Sequence, residues 1–393
     1  MFGLMKSIGL IYRYKPYQRG STMPFIKNIL VKNISWLSLL ALFVVLQGCG
    51  IVRSLGQNPR GAALTGLQTL PNYRNGMFQN LDSADNGGNK VKGGNALKAM
   101  FNRPESVTPS HPLPWVKTDL INTAYNRPTV VWFGHSSVLI KSRSGNILID
   151  PVFSNHAGPI PGMIKAYKGT KHYTANDMPD IDVLLISHDH YDHLDYQTVK
   201  KLKNRIKKVI VPKGVGSHFV YWGFDPKNII ELNWNEGLAL PGNLHITATP
   251  ARHRSNRTFA EKKTLWASYV IQADGYKIFY SGDGGYGDHF KQIGKQYGPF
   301  NLALMECGQY NENWLHHHMM PEQTAQAAAD LQAHLLQPVH WAKFAESNHP
   351  WNEPVKRLLP AAQKLGIAVS VPQLGEPYTL DDSPKRTVWW RVE

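Results

Sequence analysis

Four potential metal ligands fall within six residues of this chain, in Ser187-His188-Asp189-His190-Tyr191-Asp192-His193-Leu194-Asp195. Imidazole nitrogen suits zinc and other borderline cations, and a carboxylate adds a hard oxygen. Such density points to a metal site rather than to a solvated polar loop. In a loop leaving a strand, His188 and His190 can share one side, while Asp192 and His193 face a second ion. Cys49 and Cys307 are the two cysteines among 393 residues, so a disulfide framework is excluded. A metal site must then be built from the seventeen histidines and from carboxylates.

A two-ion site needs ligands from elsewhere in the chain, and three candidates each follow an apolar run. His253 follows Thr249-Pro250-Ala251-Arg252, Asp283 sits in Ser281-Gly282-Asp283-Gly284-Gly285, and His340 sits in Pro338-Val339-His340-Trp341. Strands ending at these places would deliver all three side chains to a common rim. The surrounding pattern supplies such strands. Runs rich in β-branched and apolar residues predict strands at 129–133, 138–141, 146–150, 183–187, 208–212, 245–249, 265–271 and 276–281. Helical spacing covers 196–203, 321–333 (opened by Pro321, where proline is tolerated) and 354–365. Alternating strands and helices in two successive blocks predict a layered α/β protein.

The series His188-x-His190-x-Asp192-His193, then His253, Asp283 and His340, resembles the metallo-β-lactamase superfamily. Within it, the chain looks most like the N-acylphosphatidylethanolamine-hydrolysing phospholipase D family and its bacterial relatives. The stretches that carry the likeness include Trp132-Phe133-Gly134-His135-Ser136, Ile149-Asp150-Pro151-Val152-Phe153, Gly282-Asp283-Gly284-Gly285-Tyr286 and His340-Trp341-Ala342-Lys343-Phe344. The resemblance covers roughly residues 128–380 and implies an α/β protein with a four-layer αββα sandwich. It implies two zinc ions, with manganese or iron as alternatives. By the same pattern His188, His190 and His253 hold one ion, Asp192, His193 and His340 hold the other, and Asp283 bridges them. Such ions lie roughly 3.5–4 Å apart, and a water between them loses its proton near neutral pH. Asp192, Asp283 and His318 then make up the catalytic set, with His318 binding phosphate or protonating the leaving oxygen. No Gly-x-Ser-x-Gly elbow occurs, so no serine nucleophile is expected. The sequence departs from the lipid-hydrolysing family at Gly284, where that family has threonine, and in Leu304-Met305-Glu306-Cys307-Gly308-Gln309-Tyr310.

The expected activity is hydrolysis of a phosphodiester, most plausibly in an N-acylated phosphatidylethanolamine-like lipid. Lactone, ester or amide hydrolysis by the same ions is the alternative, and a non-catalytic envelope lipoprotein is a third reading. Several neighbouring residues carry weaker signals. His135 reads as a structural histidine, with orientation of a ligand as the alternative, and acceptance of a hydrogen bond from a ligand histidine is one reading of Asp195. His316 and His317 read as a solvated lead-in to His318. Cys307 reads as a buried free thiol, and Trp314, Trp341 and Trp351 as core rather than lipid-cleft residues.

The formal charge is +15, from 43 basic and 28 acidic residues, and six of the basic ones precede residue 49 with no acid among them. The remainder still carries +9. That balance suits an anionic membrane; no basic stripe interleaved with aromatics is present, so nucleic acid is not an expected partner. Lys27 and Lys32 precede an apolar run, Trp36–Leu46, of about ten residues, too short to span a bilayer comfortably. The run stops at Leu46-Gln47-Gly48-Cys49, which resembles a bacterial lipoprotein signal with Cys49 as the lipidated residue. Gly50 after it resembles outer-membrane-directed lipoproteins. The expected organisation is a leader over 1–48, a flexible tether and extended lead-in over 49–103, and the hydrolase domain over 104–393. The expected location is the cell envelope, at the periplasmic face of the outer membrane.

Overall fold

The computed structural model describes residues 50–82 and 103–391, save 161, 259 and 315. The leader, Cys49 and the Gly/Asn-rich stretch 83–95 lie outside the described residues.

Two seven-stranded sheets form the body. A short hairpin, β1 (Tyr73–Arg74) and β2 (Met77–Phe78), precedes them. The first sheet contains β3 (Thr129–Trp132), β4 (Val138–Ser142), β5 (Gly145–Ile149), β6 (Ile181–Leu185), β7 (Ile206–Pro212) and β8 (Ile229–Leu232) in that spatial order. A late strand, β16 (Pro377–Thr379), closes its β3 edge. The second sheet contains β9 (Gly237–Leu240), β10 (Leu244–Thr249), β11 (Ser268–Ala273), β12 (Tyr276–Tyr280), β13 (Leu302–Glu306), β14 (Leu335–Val339) and β15 (Ala368–Val369), again in chain order. Each sheet has one antiparallel portion and one parallel portion: β5 to β8 run parallel in the first, and β12 to β15 in the second. Helices supply most of the crossovers that such pairing requires, and a long loop with one 3-10 turn, Ala175–Asp177, joins β5 to β6.

Period-two alternation explains why these strands are apolar almost throughout. In the first sheet Val130, Trp132, Ile140, Ile147, Ile149, Val183 and Leu185 point into the cluster shared with the second sheet. Their immediate neighbours Val131, Leu139, Leu148, Leu184 and Ile186 join a separate cluster on the other face, with Val199, Leu202 and Phe219 of the covering helices Tyr196–Leu202 and Gly216–Tyr221. A strand buried on both faces cannot alternate with polar residues. On the second sheet, Ala325, Val355 and Leu358 of the helices Pro321–Asp330 and Glu353–Lys364 pack into the core. The result is the expected α/β sandwich.

Residues 51–82 correct the expectation of a tether. Leu67, Tyr73 and Phe78 are buried in the main core. The Asn80 side chain donates to the His253 carbonyl at 3.0 Å and accepts from the His253 N–H at 3.1 Å. Composition read over the whole of 49–103 conceals these apolar side chains, whose burial outweighs the cost of ordering the segment. In the lead-in, Glu105–Val107 forms a 3-10 turn and Trp115 bridges Leu374. No helix among the described residues is long and apolar enough to cross a membrane.

Candidate metal centre

The seven expected ligands come together at the carboxyl ends of four strands. β6 runs into Ser187 and His188, β10 leads to His253, β12 to Asp283 and β14 to His340. Glycine is required where β12 ends. Gly282 has φ +56°, and a Cβ there would lie 2.8 Å from the Ala267 carbonyl oxygen and 2.9 Å from the Ser187 Cβ. Only a residue without a side chain lets the two sheets approach this closely and still aim Asp283 between them. His135 and His340 also adopt positive φ, 51° and 66°, which is uncommon for non-glycine residues. Reciprocal backbone bonds hold them: His340 N–H donates to the His135 carbonyl at 2.9 Å, and His135 N–H to the Trp341 carbonyl at 2.8 Å.

Two groups of ligand atoms result. In the first, His190 Nδ1 lies 2.9 Å from His188 Nε2 and 3.3 Å from His253 Nε2. Asp283 Oδ2 lies 3.8 and 3.9 Å from those two Nε2 atoms. In the second, His193 Nε2 lies 3.1 Å from Asp192 Oδ2 and 3.0 Å from Asp283 Oδ2. His340 Nδ1 lies 3.2 Å from Asp283 Oδ1 and 3.9 Å from Asp192 Oδ2. A tetrahedral ion with bonds of about 2.0–2.1 Å separates its ligand atoms by roughly 3.3 Å, so both groups have the right span, and Asp283 belongs to each. Among the described residues, His193 Nε2 and Asp283 Oδ1 are buried with no hydrogen-bond partner. Leaving such groups unpaired is costly, and a cation would satisfy donors of this kind. This His/Asp cluster is therefore capable of binding metal.

The electrostatics favour deprotonated ligands at most positions. Burial pushes His188, His253 and His340 well below the usual imidazole range, and pushes His190 down to about 4. Asp192 is held well below the usual carboxylate range: burial opposes this, but His193 and His135 beside it outweigh burial. Burial raises Asp283 to about 6, although His193 beside it pulls the other way. His193 is the exception. Burial disfavours its charge, but Asp283, Asp192 and a hydrogen bond to Asp150 hold it well above the usual range.

Three supporting residues were missed or undervalued in the sequence. Asp150 is fully buried and accepts from His193 Nδ1 at 2.7 Å, from Ser187 N–H at 2.8 Å, and from the Ser187 and Tyr280 hydroxyls. It fixes the His193 tautomer so that Nε2 faces the cluster. His135 Nε2 lies 2.9 Å from Asp192 Oδ2, so this ring orients a ligand rather than serving only the core. Glu306, fully buried at the end of β13, accepts from Met319 N–H at 2.6 Å and places Oε2 3.5 Å from His318 Nδ1. The turn residue before Pro151 and the acid closing an apolar strand were the available signals for Asp150 and Glu306.

His318 stands with Asp283 and His340, its ring stacked on that of His340 at 5.1 Å. His316 Nδ1 instead meets Arg252 at 2.7 Å, and the His317 carbonyl lies 3.1 Å from His253 Nδ1. Asp195 does not touch a ligand histidine, contrary to expectation. It caps the helix Tyr196–Leu202 by accepting from Gln197 N–H, and also accepts from Ser154 N–H and the Thr198 hydroxyl. Short acidic side chains favour exactly that N-terminal position in a helix. Asp189 likewise turns away, toward Thr264 at 2.8 Å, Asn256 N–H at 3.1 Å and His218 at 3.3 Å. Cys307 is a buried free thiol whose pKa burial raises. Trp341 and Trp351 are core residues, and half-buried Trp314 donates to the Gln309 carbonyl.

Comparison with known proteins accords with this geometry. Residues 145–341 match the beta-lactamase superfamily domain. An uncharacterized protein of Mycobacterium tuberculosis (strain H37Rv) is 35% identical over 362 residues, covering 88% of this chain and 95% of that one. The mitochondrial N-acyl-phosphatidylethanolamine-hydrolyzing phospholipase D of Saccharomyces cerevisiae is 33% identical over 267 residues, which are 64% of this chain and 55% of the yeast protein. Among solved structures, a metallo hydrolase of the archaeon Ignicoccus hospitalis superposes with a TM-score of 0.51 at 25% identity, covering 66% of this chain and all of that one. Sheets, cluster and relatives agree that this chain is a metal-dependent hydrolase of the metallo-β-lactamase superfamily.

Proposed function

We propose that this chain is a membrane-anchored dinuclear metal hydrolase that cleaves a phosphodiester in an N-acylated phosphatidylethanolamine-like lipid. In this reading His188, His190 and His253 hold one zinc, Asp192, His193 and His340 hold the other, and Asp283 serves both. The observation that carries the choice of bond is the positive rim beside the cluster. Burial is the main cause that lowers His190, His317 and His318; Arg254, which also lies 3.9 Å from Glu261, lowers all three further, and Lys262 does so at His317. Basic side chains beside the cluster match the standing charge of a phosphodiester, which a neutral lactone lacks. The name of the yeast relative supports the same substrate class.

When bound, the ions supply Lewis-acid charge and lower the pKa of a water toward neutrality. The chain's own residues do the rest. Asp150 and His135 hold His193 and Asp192 in place. Arg254 and Lys262 draw in the phosphodiester. Water adds at phosphorus, the P–O bond to the N-acylethanolamine breaks, and the leaving oxygen takes up a proton. His318 stands at the rim for that last role. Glu306 is held well above the usual carboxylate range, mainly by burial, and its Oε2 stands 3.5 Å from His318 Nδ1 behind that ring. The lipoprotein-like signal ending at Cys49 would hold the enzyme at the envelope, on the periplasmic face of the outer membrane.

The test is incubation of the metal-loaded full chain with N-acylphosphatidylethanolamine, products being identified by mass. Phosphatidic acid and N-acylethanolamine, absent with Asp283→Asn, are the expected result. No cleavage by protein that retains two metals would overturn the phosphodiester reading and leave a lactone or other ester as the bond.

A further inference from the structure

Three hydrogen-bonded segments near the metal-bearing loop carry exposed apolar side chains. Val52, Ile160, Met163, Val220 and Tyr221 are five of the nine large apolar side chains that stand exposed among the described residues, at 57%, 54%, 38%, 48% and 42%. They come from three segments far apart in sequence: the helical stretch 50–55, the loop 154–165 and the helix Gly216–Tyr221. The segments are joined. The Ser54 hydroxyl donates to the Pro159 carbonyl at 3.4 Å, and the Trp222 indole donates to the Arg53 carbonyl at 2.8 Å. Isolated exposed apolar residues need no explanation, but five of them on three linked segments do.

The charges on these segments have one sign. Residues 50–60, 154–165 and 216–223 contain no Asp or Glu. Arg53, Arg60 and Lys165 are exposed. The nearby carboxylate of Glu231 turns inward, accepting from Gly214 N–H at 3.0 Å and Gly216 N–H at 2.7 Å. Exposed Asp225 lies just beyond the third segment, offset by exposed Lys227. Apolar side chains set among mainly basic ones complement an anionic bilayer interface.

This face is also fixed to the metal-bearing loop. The buried Arg257 guanidinium donates to the Ser54 carbonyl at 2.7 Å, to Leu194 at 2.7 Å and to Asp189 at 3.0 Å. It lies between the rings of Tyr191 and Trp222, 4.3 and 5.0 Å from their centroids. A second link runs from Gln57 N–H to His218 Nδ1 at 3.0 Å, and from His218 Nε2 to Asp189 at 3.3 Å. His190 and Tyr191, the half-open residues of that loop, are thus one side chain away from Ser54.

We propose that this face seats on an anionic lipid surface and holds the His190 side of the cluster against the bilayer. Cys49 precedes Val52 by three residues in the sequence, and the inference rests on the anchoring reading given above. One anchor at residue 49 allows the body to swivel; a second, interfacial contact removes that freedom and fixes which side meets lipid.

The experiment uses the lipid-anchored full chain in a Cys307→Ser background, with a fluorophore on a cysteine introduced as Ile160→Cys, Tyr221→Cys, Leu365→Cys or Val388→Cys. The last two are exposed apolar residues on other elements, at 42% and 45%. Each variant is reconstituted in vesicles of phosphatidylethanolamine and phosphatidylglycerol carrying nitroxide lipid. Quenching several-fold stronger at Ile160 and Tyr221 than at Leu365 and Val388 is expected. Arg53→Glu with Lys165→Glu should weaken it several-fold, since each basic residue near an anionic surface is worth about five-fold in binding. Equal quenching at all four positions would overturn the proposal. So would silence toward lipid with self-quenching between labelled copies, which would mean that the face pairs with a second molecule. Hydrolysis is read separately on the same preparation, so a seated but inactive protein refutes the substrate reading alone, and an active protein without selective quenching refutes this one alone.

Discussion

The two sheets contribute to one cluster in different ways. The first supplies His188, His190, Asp192 and His193 from a single loop, braced by Asp150 beneath it and by Arg257 and Asp189 at its flank. The second supplies His253, Asp283 and His340 from three separate strand ends, each aimed by backbone geometry: the left-handed Gly282 and His340, and the Asn80 clamp on His253. One half is built by a dense local motif with a buried polar scaffold. The other depends on the whole sheet holding its register. A shared site should fail equally when either half loses a ligand, yet the halves should differ in how they respond to gentler changes.

The largest expected effects test the sharing. His190→Ala removes a ligand from the first half, and Asp283→Asn weakens the one residue that belongs to both ligand groups. Losing a metal's charge stabilisation of several kcal/mol corresponds to on the order of 10³-fold in rate. Both variants should fall by at least that much in lipid hydrolysis while keeping the circular-dichroism spectrum of the parent. Near-full turnover in either would break the assignment.

Metal removal should separate the halves. A ligand present at a hundred-fold excess over its dissociation constant stabilises the folded state by about 2.7 kcal/mol, so chelation should lower the melting temperature and metal return should restore it. Hydrogen exchange read with and without metal should rise more around residues 282–286 and 340–346 than around 188–194. The latter loop keeps its Asp150 and Arg257 contacts without any ion. A uniform rise would mean that the scaffold under the first half contributes no independent rigidity.

Asp150→Asn probes that scaffold directly. The amide can still accept from Ser187, but it offers a weaker and misdirected partner to His193 Nδ1. Loss of such an outer partner costs about 10–100-fold in metal affinity. Competition with a chromophoric chelator should show that loss, with the tighter ion less affected if it sits among His188, His190 and His253.

The same contrast explains what was legible. The loop 188–193 announces itself because its ligand types are contiguous, and the strands around it are marked by unbroken apolar runs. His253, Asp283 and His340 became legible through the family resemblance and their place after such runs. What stayed hidden was pairwise. Nothing local in Ile149-Asp150-Pro151 says that Tyr280, on the other sheet, will donate to Asp150. Asp195 was assigned to a histidine because it follows the motif, whereas a helix beginning at Tyr196 claims it as a cap. Residues 51–82 were averaged into a tether because their buried side chains, Leu67, Tyr73 and Phe78, are few and widely spaced.

The smallest effect concerns the buried histidines outside the cluster. In the first half, burial lowers the pKa of His218, but Asp189 opposite it pulls the other way. In the second half, burial lowers His289 to about 3, and Arg252 reinforces the shift. Between about pH 6.5 and 3 the unfolded chain therefore binds a proton at His289 that the folded chain does not. Stability falls as pH falls through that window, by at most about 1.4 kcal/mol per pH unit from this one group. His289→Leu should make the urea midpoint less dependent on pH there by up to one proton, measured on metal-free protein against the parent. His218→Leu should flatten it less, because Asp189 already returns part of the charge to the folded state. Equal flattening would show that burial alone sets both rings and that the acid and the base beside them are too far away to matter.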